Sequence, residues 1–189
     1  SREVIVSPLK IKYPPIPIMK RIEKLTFLNK FTQPIIVCGK MNDFNLRDRI
    51  IKLSESLGAP IFADPLSGLR YGVTHYNILT AYEHFLQSND IYPDLVIRFG
   101  TKPNSKKLCS LLDKWRLNTI LIAPTGRFND DCPNILEGAP ECIVNKLIES
   151  NCKYQKYKWL EKIIKLEKKS RVLINKKLEQ SRQKVTGSN

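Results

Sequence analysis

The stretch that decides the fold is PIIVCGKMNDFNLRDRIIKLSESLGAPIFA, residues 34–63. It begins with a continuous apolar and largely β-branched run, Pro34–Cys38, which Gly39 ends. Such a run is typical of a strand that is buried on both faces in a parallel sheet. It ends with a second short apolar run, Ala59–Ala63, which predicts another strand.

A helix is predicted between these two strands. Asp43 can cap its first turn, and Gly58 can end it in the left-handed conformation that glycine adopts easily. The apolar residues between them recur at spacings of four, three and four, which is the helical period: Leu46, Ile50, Leu53 and Leu57.

The alternation of strand and helix continues along the chain. The predicted elements are a helix over Ile78–Leu86, a strand over Asp94–Phe99, a helix over Asn104–Trp115, a strand over Thr119–Ala123 and a candidate fifth strand over Glu141–Val144. Short apolar strands alternating with helices predict right-handed βαβ crossovers. We therefore expect an α/β fold, a Rossmann-like three-layer domain with a parallel sheet.

Three segments are expected from composition. Residues 1–30 form an incoming proline-rich linker with a short helix at Ile18–Leu28, residues 31–150 form the α/β domain, and residues 151–189 form a basic amphipathic helical tail. That tail carries twelve Lys and Arg against three Glu, so it supplies +9 of the net charge of +14. Its apolar stripe is interrupted at Glu167–Ser170, and a packed helix with a solvated basic face is the favoured interpretation, with RNA or membrane binding as alternatives.

Several classes of protein are disfavoured. The apolar runs are far shorter than the ~20 residues that cross a bilayer, and the N-terminus lacks signal-peptide anatomy. Five cysteines without a C-x-x-C pair argue against disulfides and a zinc site, and His75 and His84 form no metal-binding motif. The chain has no initiator Met, which suggests a fragment. The cysteine pattern predicts reduced thiols, which are typical of the cytoplasm.

Ligands of open α/β sheets bind at the carboxyl ends of the strands, so functional residues are expected in the loops there. The loop after Cys38 has one glycine where a dinucleotide fingerprint needs three, and the chain has no phosphate-binding P-loop. The loop over Asp64–Gly72 can present Ser67 and Arg70 to an anion, or it can be a rigid turn in which Asp64 caps backbone donors.

The loop after Phe99 is the most informative. Asn104 or Ser105 can cap the next helix, and Lys102, Lys106 and Lys107 surround its first turn. Cations there oppose the helix dipole, which makes sense if an anion binds between them, although a solvent-screened surface is the alternative. Cys38 and Cys109 are expected to be small buried hydrophobic residues, and no catalytic triad or carboxylate pair can be assembled.

The combination of these motifs closely resembles the middle domain of the MenD family of thiamine-diphosphate-dependent synthases. The resemblance covers roughly residues 30–130 and is carried by four runs: GAPIFADPLSGLR at 58–70, NILTAYEHFL at 77–86, PDLVIRFG at 93–100 and PNSKKL at 103–108. Little family pattern is recognisable in the two ends of the chain, and the resemblance implies that residues 1–30 are the linker from the first domain and residues 151–189 the linker to an absent cofactor domain.

The resemblance implies an enzyme that decarboxylates 2-oxoglutarate on thiamine diphosphate and joins the product to isochorismate, in menaquinone and phylloquinone biosynthesis. In the family, the N-terminal domain supplies the activating glutamate and the C-terminal domain a G-D-G…N site for Mg²⁺ and diphosphate. The present chain has no G-D-G, so we expect it to bind neither cofactor nor metal and to have no catalytic residue.

The resemblance also implies roles for particular residues and partners. Lys106 and Lys107 align with the family's basic pair and are expected to contact substrate carboxylates, with Lys102, Arg70 and Ser67 as weaker candidates. The expected partners are the N- and C-terminal domains of the same synthase, in a homo-oligomer, with a location in the cytoplasm or, for a plastid-encoded chain, the chloroplast stroma.

Two alternative functions remain open from the residues alone. One is a stand-alone Rossmann-like module that binds an anion or carboxylate through the lysines and Arg70. The other is an RNA-binding protein that uses the basic tail, although no RNA-recognition motif supports it.

Overall fold

The computed structural model describes residues 28, 30–41, 43, 45–72, 74–86, 91–124, 130–150 and 157–186. Nearly all of the helix expected at Ile18–Leu28, and the linker before it, lie outside these residues. The strands are β1 (Pro34–Cys38), β2 (Ile61–Ala63), β3 (Ile78–Leu79), β4 (Leu95–Phe99), β5 (Thr119–Ala123) and β6 (Asn134–Glu137). The α-helices are α1 (Leu46–Leu57), α2 (Tyr82–Phe85), α3 (Lys106–Lys114), α4 (Pro140–Ser150) and α5 (Tyr157–Thr186).

The six strands form one sheet in the order β3-β2-β1-β4-β5-β6, and every pairing is parallel. Ile36 of β1 lies between Ile61 of β2 and Ile97 of β4. The parallel α/β architecture expected from the alternating apolar runs is therefore confirmed.

Helices cover both faces of the sheet. On one face Ile36 and Cys38 pack with residues of α1 and α4, such as Ile50 and Leu147. On the other face Ile35 and Val37 pack with residues of α2, α3 and α5: Tyr82, Phe85, Leu108, Leu112, Trp159 and Ile163. This alternation follows from the strand period of two, which sends neighbouring side chains to opposite faces.

The predicted helix at Ile78–Leu86 is wrong in its first residues. Ile78 and Leu79 form β3 beside β2, and only Tyr82–Phe85 are α-helical. Ile78 packs on the α1 side of the sheet and Leu79 on the α2 side. Adjacent apolar residues that serve opposite faces require strand geometry, which a count of apolar residues does not reveal.

The candidate strand at Glu141–Val144 is also wrong. These residues lie in α4, and the last strand of the sheet is β6, upstream of it. Ile143, Val144 and Leu147 are all buried against the same cluster, as a helical period of three to four residues requires.

The N-cap of α1 differs from the expectation. Asn45, not Asp43, stands at the N-cap of α1 and makes no side-chain cap bond, whereas Asp43 Oδ1 accepts from Asn45 N. Gly58 does end α1 in the left-handed conformation, with φ of 60°. The polar residues Glu167 and Ser170 interrupt the apolar stripe of α5, as expected, and the helix itself is continuous.

The first half of α5 packs closely on the sheet. Trp159 Nε1 donates a 2.8 Å hydrogen bond to the carbonyl oxygen of Pro34, the first residue of β1. Glu167 is buried, and its carboxylate accepts from the backbone N–H groups of Thr80 and Ala81 at 3.0 Å, just before α2. Arg171 Nε donates to the same carboxylate at 2.9 Å. No helix among the described residues is both long enough and apolar enough to cross a bilayer.

Replacing Glu167 by Ala should lower the free energy of unfolding by about 2–4 kcal/mol, because one buried and one part-buried N–H donor lose a charged acceptor. Glu161→Ala is the matched control, since Glu161 is exposed on the same helix and should cost under about 0.5 kcal/mol. Urea denaturation followed by circular dichroism measures both. Equal losses in the two variants would show that Glu167 does not hold α5 on the sheet.

Candidate functional site

A ligand-binding site is expected at the carboxyl edge of the sheet. The strand order changes direction between β1 and β4, because the chain leaves β1 toward β2 and leaves β4 toward β5. Open α/β sheets bind their ligands in the crevice that such a reversal creates.

In this protein the loops after β1 and β4 fill that crevice. Gly39 N donates to Phe99 O at 2.9 Å, and Thr101 N donates to Lys40 O at 3.1 Å. A Cβ atom at Gly39 would overlap the carbonyl oxygen of Thr101, and one at Gly100 would overlap that of Lys40. The two backbones therefore meet where a dinucleotide-binding fold holds a pyrophosphate.

Asp64 joins a third loop to this pair. Its carboxylate is 1% exposed; one oxygen accepts from Leu66 N at 3.0 Å, and the other accepts from Asn104 N at 2.7 Å. The residues it connects follow β2 and β4, which lie on opposite sides of β1. Asp64 thus caps backbone donors, as its rigid-turn interpretation predicts, and it also fixes the approach to α3.

Ser67 and Arg70 hold the loop after β2 in shape. Ser67 is buried, and its hydroxyl accepts from Leu69 N at 3.2 Å. Arg70 Nε donates to Ala63 O at 2.8 Å, and its guanidinium lies 6.0 Å from the ring centroid of Tyr82. Both side chains therefore have structural contacts, and a ligand role for either stays a prediction.

Lys106 and Lys107 lie together in the first turn of α3. Ser105 is the N-cap, and its hydroxyl accepts from Leu108 N at 3.2 Å, as one of the two predicted caps requires. The first turn contains no acidic residue, and both lysines are exposed. No ion pair joins Lys106 to a described residue. The turn is thus a positively charged surface at the carboxyl edge of the sheet.

Lys102 does not join this pair. Its Nζ lies 3.3 Å from Asp131 and 3.7 Å from Asp113, at the opposite end of α3 from the other two lysines. The hydrogen bond to Asp131 raises the pKa of Lys102, and the same bond lowers the pKa of Asp131. The structure therefore separates Lys102 from Lys106 and Lys107, and its role in binding an anion stays a prediction.

An ion pair that the sequence analysis missed lies beside Lys102. Arg98 of β4 is 3% exposed and donates from Nη1 and Nη2 to the two oxygens of Asp130 at 3.1 and 2.6 Å. Asp130 belongs to the segment between β5 and β6. An arginine inside the apolar run LVIRF is the signal that could have revealed it, because a charge buried in a central strand requires a partner.

The thiols considered as nucleophiles are poorly suited to that role. Burial raises the pKa of Cys38 far above its usual range and also raises the pKa of Cys109. Cys109 Sγ donates to Pro103 O at 3.0 Å. The thiolate is the reactive form of cysteine, and a raised pKa keeps both thiols protonated. Cys38 therefore acts as a core residue and Cys109 as a contact to the preceding loop.

The described residues do not fit thiamine diphosphate. The crevice that could receive its diphosphate is filled by backbone, and no three His, Cys, Asp or Glu side chains among the described residues come together as a metal site. No catalytic step through the cofactor can be derived from these residues.

Comparison with known proteins points to one family. Residues 16–186 match the family model of thiamine pyrophosphate enzymes described as "Middle domain of thiamine pyrophosphate". Similar curated proteins include the 2-succinyl-5-enolpyruvyl-6-hydroxy-3-cyclohexene-1-carboxylate synthases of Bacillus pumilus, 38% identical over 57% of this chain, and Dechloromonas aromatica, 30% identical over 70% of this chain. The matched regions are 20% and 26% of those relatives, so the chain spans about a quarter of their length or less.

Replacing Asp64 by Ala should lower the free energy of unfolding by about 2–4 kcal/mol, because Leu66 N and Asn104 N lose their charged acceptor. Amide hydrogen exchange at Asn104 should accelerate as well. Asp113→Ala removes an exposed carboxylate from the last turn of α3 and should change stability by under about 0.5 kcal/mol. Unchanged exchange at Asn104 would contradict the proposed connection between the loops.

Replacing Gly100 by Ala should cost about 3 kcal/mol or more, because the new Cβ adds overlap with Lys40 to the strain of a φ of 72°. Gly72 has a similar φ of 69° but open surroundings, so Gly72→Ala should cost only about 1–2 kcal/mol. Thermal unfolding compares the two. Equal costs would mean that the loops after β1 and β4 separate easily.

Proposed function

This chain belongs to the family of thiamine pyrophosphate enzyme middle domains, and on that premise we propose that it is the middle domain of a 2-succinyl-5-enolpyruvyl-6-hydroxy-3-cyclohexene-1-carboxylate synthase. The observation that carries the proposal is the family match over residues 16–186, together with relatives that bear this name in bacteria and in the archaeon Halobacterium salinarum. The proposed reaction of the whole enzyme is decarboxylation of 2-oxoglutarate and addition of the resulting succinyl unit to isochorismate.

In this proposal the chain itself is not catalytic. Its carboxyl edge is closed by the contact between Gly39–Lys40 and Gly100–Thr101, which supports a role in packing and positioning rather than in cofactor binding. Thiamine diphosphate and Mg²⁺ are assigned to the other domains of the synthase. Those N- and C-terminal domains, in a homo-oligomer, are the proposed partners.

Lys106 and Lys107 are the proposed contacts to substrate. Both residues lie in the first turn of α3, so a carboxylate bound at this helix start would meet favourable charge from lysine side chains and from the helix together. Asp64 supports the geometry, because its bond to Asn104 N fixes the chain two residues before Lys106. The proposed ligands are the carboxylates of isochorismate.

Arg70, Lys102 and Ser67 remain weaker candidates for the same role. Lys102 is partly neutralised by Asp113 and Asp131, and Ser67 turns its hydroxyl into its own loop. These contacts support ranking the two lysines of α3 first.

In the full-length protein, replacing both Lys106 and Lys107 by Ala should raise the KM for isochorismate about tenfold and change kcat less than twofold, because a charged contact to bound substrate is lost. Lys114→Ala is the matched control, since Lys114 is exposed at the far end of α3, and should leave KM unchanged. The assay contains 2-oxoglutarate, isochorismate, thiamine diphosphate and Mg²⁺.

Three results would contradict these proposals. An unchanged KM in the double variant would remove the lysines from the substrate site. Product formation by the 189-residue chain alone would show that the catalytic groups lie within it. Absence of this product from the full-length protein would overturn the assignment to this synthase.

A further inference from the structure

Helix α5 carries its buried face beyond the sheet that it covers. Trp159, Leu160 and Ile163 are buried on that face, and Ser170 continues it about two turns later. The helical period places Ile174 and Leu178 on the same face. Leu178 is nevertheless 54% exposed, so no described residue covers the far part of this face.

A groove of about 530 Å³ lies where this part of α5 passes α2. Its apolar lining includes Phe85 of α2 with Leu173 and Ile174 of α5. Its polar lining includes His84, Lys169 and Lys177, and none of the described residues that line it is acidic. The groove therefore combines an apolar surface from both helices with two lysines of α5.

We propose that this groove binds an acidic amphipathic helix of a partner polypeptide. Such a helix would place an apolar stripe against Leu173 and Ile174 and its carboxylates near Lys169 and Lys177. Docking of a helix in an apolar groove is a recurring mode of recognition, and the charges here select an acidic partner. The proposal does not depend on the enzymatic function proposed above.

The same features disfavour other occupants. A second copy of the chain would bring Lys169 and Lys177 toward the like charges of another basic groove, which is unfavourable. A lipid surface is broad, whereas the apolar lining here is set between two helices and its basic neighbours are spread around α5. A helix is the shape that reaches into such a groove.

The test uses an 18-residue fluorescein-labelled peptide of Leu and Glu with Leu at the a and d positions of its heptads, and a matched peptide with Lys in place of every Glu. Fluorescence anisotropy with the 189-residue chain at 0.15 M salt should show binding of the acidic peptide only. Failure of the acidic peptide to bind at concentrations up to about 1 mM would overturn the proposal.

Paired variants distinguish the groove from general attraction to a basic protein. Leu173→Glu and Lys177→Glu should each weaken binding at least tenfold. Val172→Glu and Lys176→Glu make the same charge changes on neighbouring residues outside the groove, and they should weaken binding less than threefold. Leu173 and Val172 are 61% and 67% exposed, so both variants should keep the far-UV circular dichroism of the parent.

The remaining outcomes would overturn the proposal. Equal weakening in all four variants would show nonspecific electrostatic binding. A dimer that Leu173→Glu alone dissociates would assign the groove to a second copy of the chain. Binding to phosphatidylserine vesicles that is lost in Leu173→Glu but kept in Val172→Glu would assign it to a lipid surface.

Discussion

Burial of β1 on both faces is the constraint from which the rest of the architecture follows. All five residues from Pro34 to Cys38 are buried, between β2 on one edge and β4 on the other. A parallel strand of this kind is stable only when a layer of helices covers each side of the sheet. Helices α1 and α4 provide one layer. The other layer needs α5 beside α3, because α2 is only four residues long.

That requirement explains why a strongly basic helix belongs to the packed domain. Trp159 contributes its ring to the core and its N–H to the carbonyl oxygen of Pro34, so one residue satisfies both an apolar face and a backbone acceptor. Glu167 then supplies the acceptor for two backbone N–H groups before α2. The positive charge of α5 is carried on the sides of the helix that remain in water, which agrees with the interpretation of a packed helix with a solvated basic face.

The carboxyl edge shows how a nucleotide-type topology can serve another purpose. Two glycines let the loops after β1 and β4 touch, and Asp64 connects them to the loop after β2. The edge is therefore rigid, and the first turn of α3 has a fixed position relative to the sheet. Exposed lysines on a rigid support lose less conformational freedom when an anion binds than lysines on a mobile loop.

The sequence predicts most of the elements because their signals are local. Continuous apolar runs identify β1, β4 and β5, and Gly58 and Ser105 mark helix ends that the structure confirms. The predictions for Ile78–Leu79 and for the start of α4 are wrong, because neighbouring apolar residues are compatible with either the strand or the helix period until the opposing layers are known. The residues of the candidate site divide in the same way between local signals and contacts that form only in the fold. Lys106 and Lys107 could be placed at a helix start from sequence, whereas the pairing of Arg98 with Asp130 and the inward turn of Ser67 depend on contacts between distant segments.

The length of α5 has a consequence for how the domain can be altered. Residues 171–186 span ~24 Å as one continuous helix, so they behave as a rod whose orientation is set by its packed first half. Inserting a single residue after Ser170 would turn everything downstream by about 100°, whereas inserting seven residues would lengthen the rod by ~10 Å and nearly restore its orientation. Tolerance to insertion along this helix should therefore be periodic, in contrast to the uniform tolerance of a flexible tether.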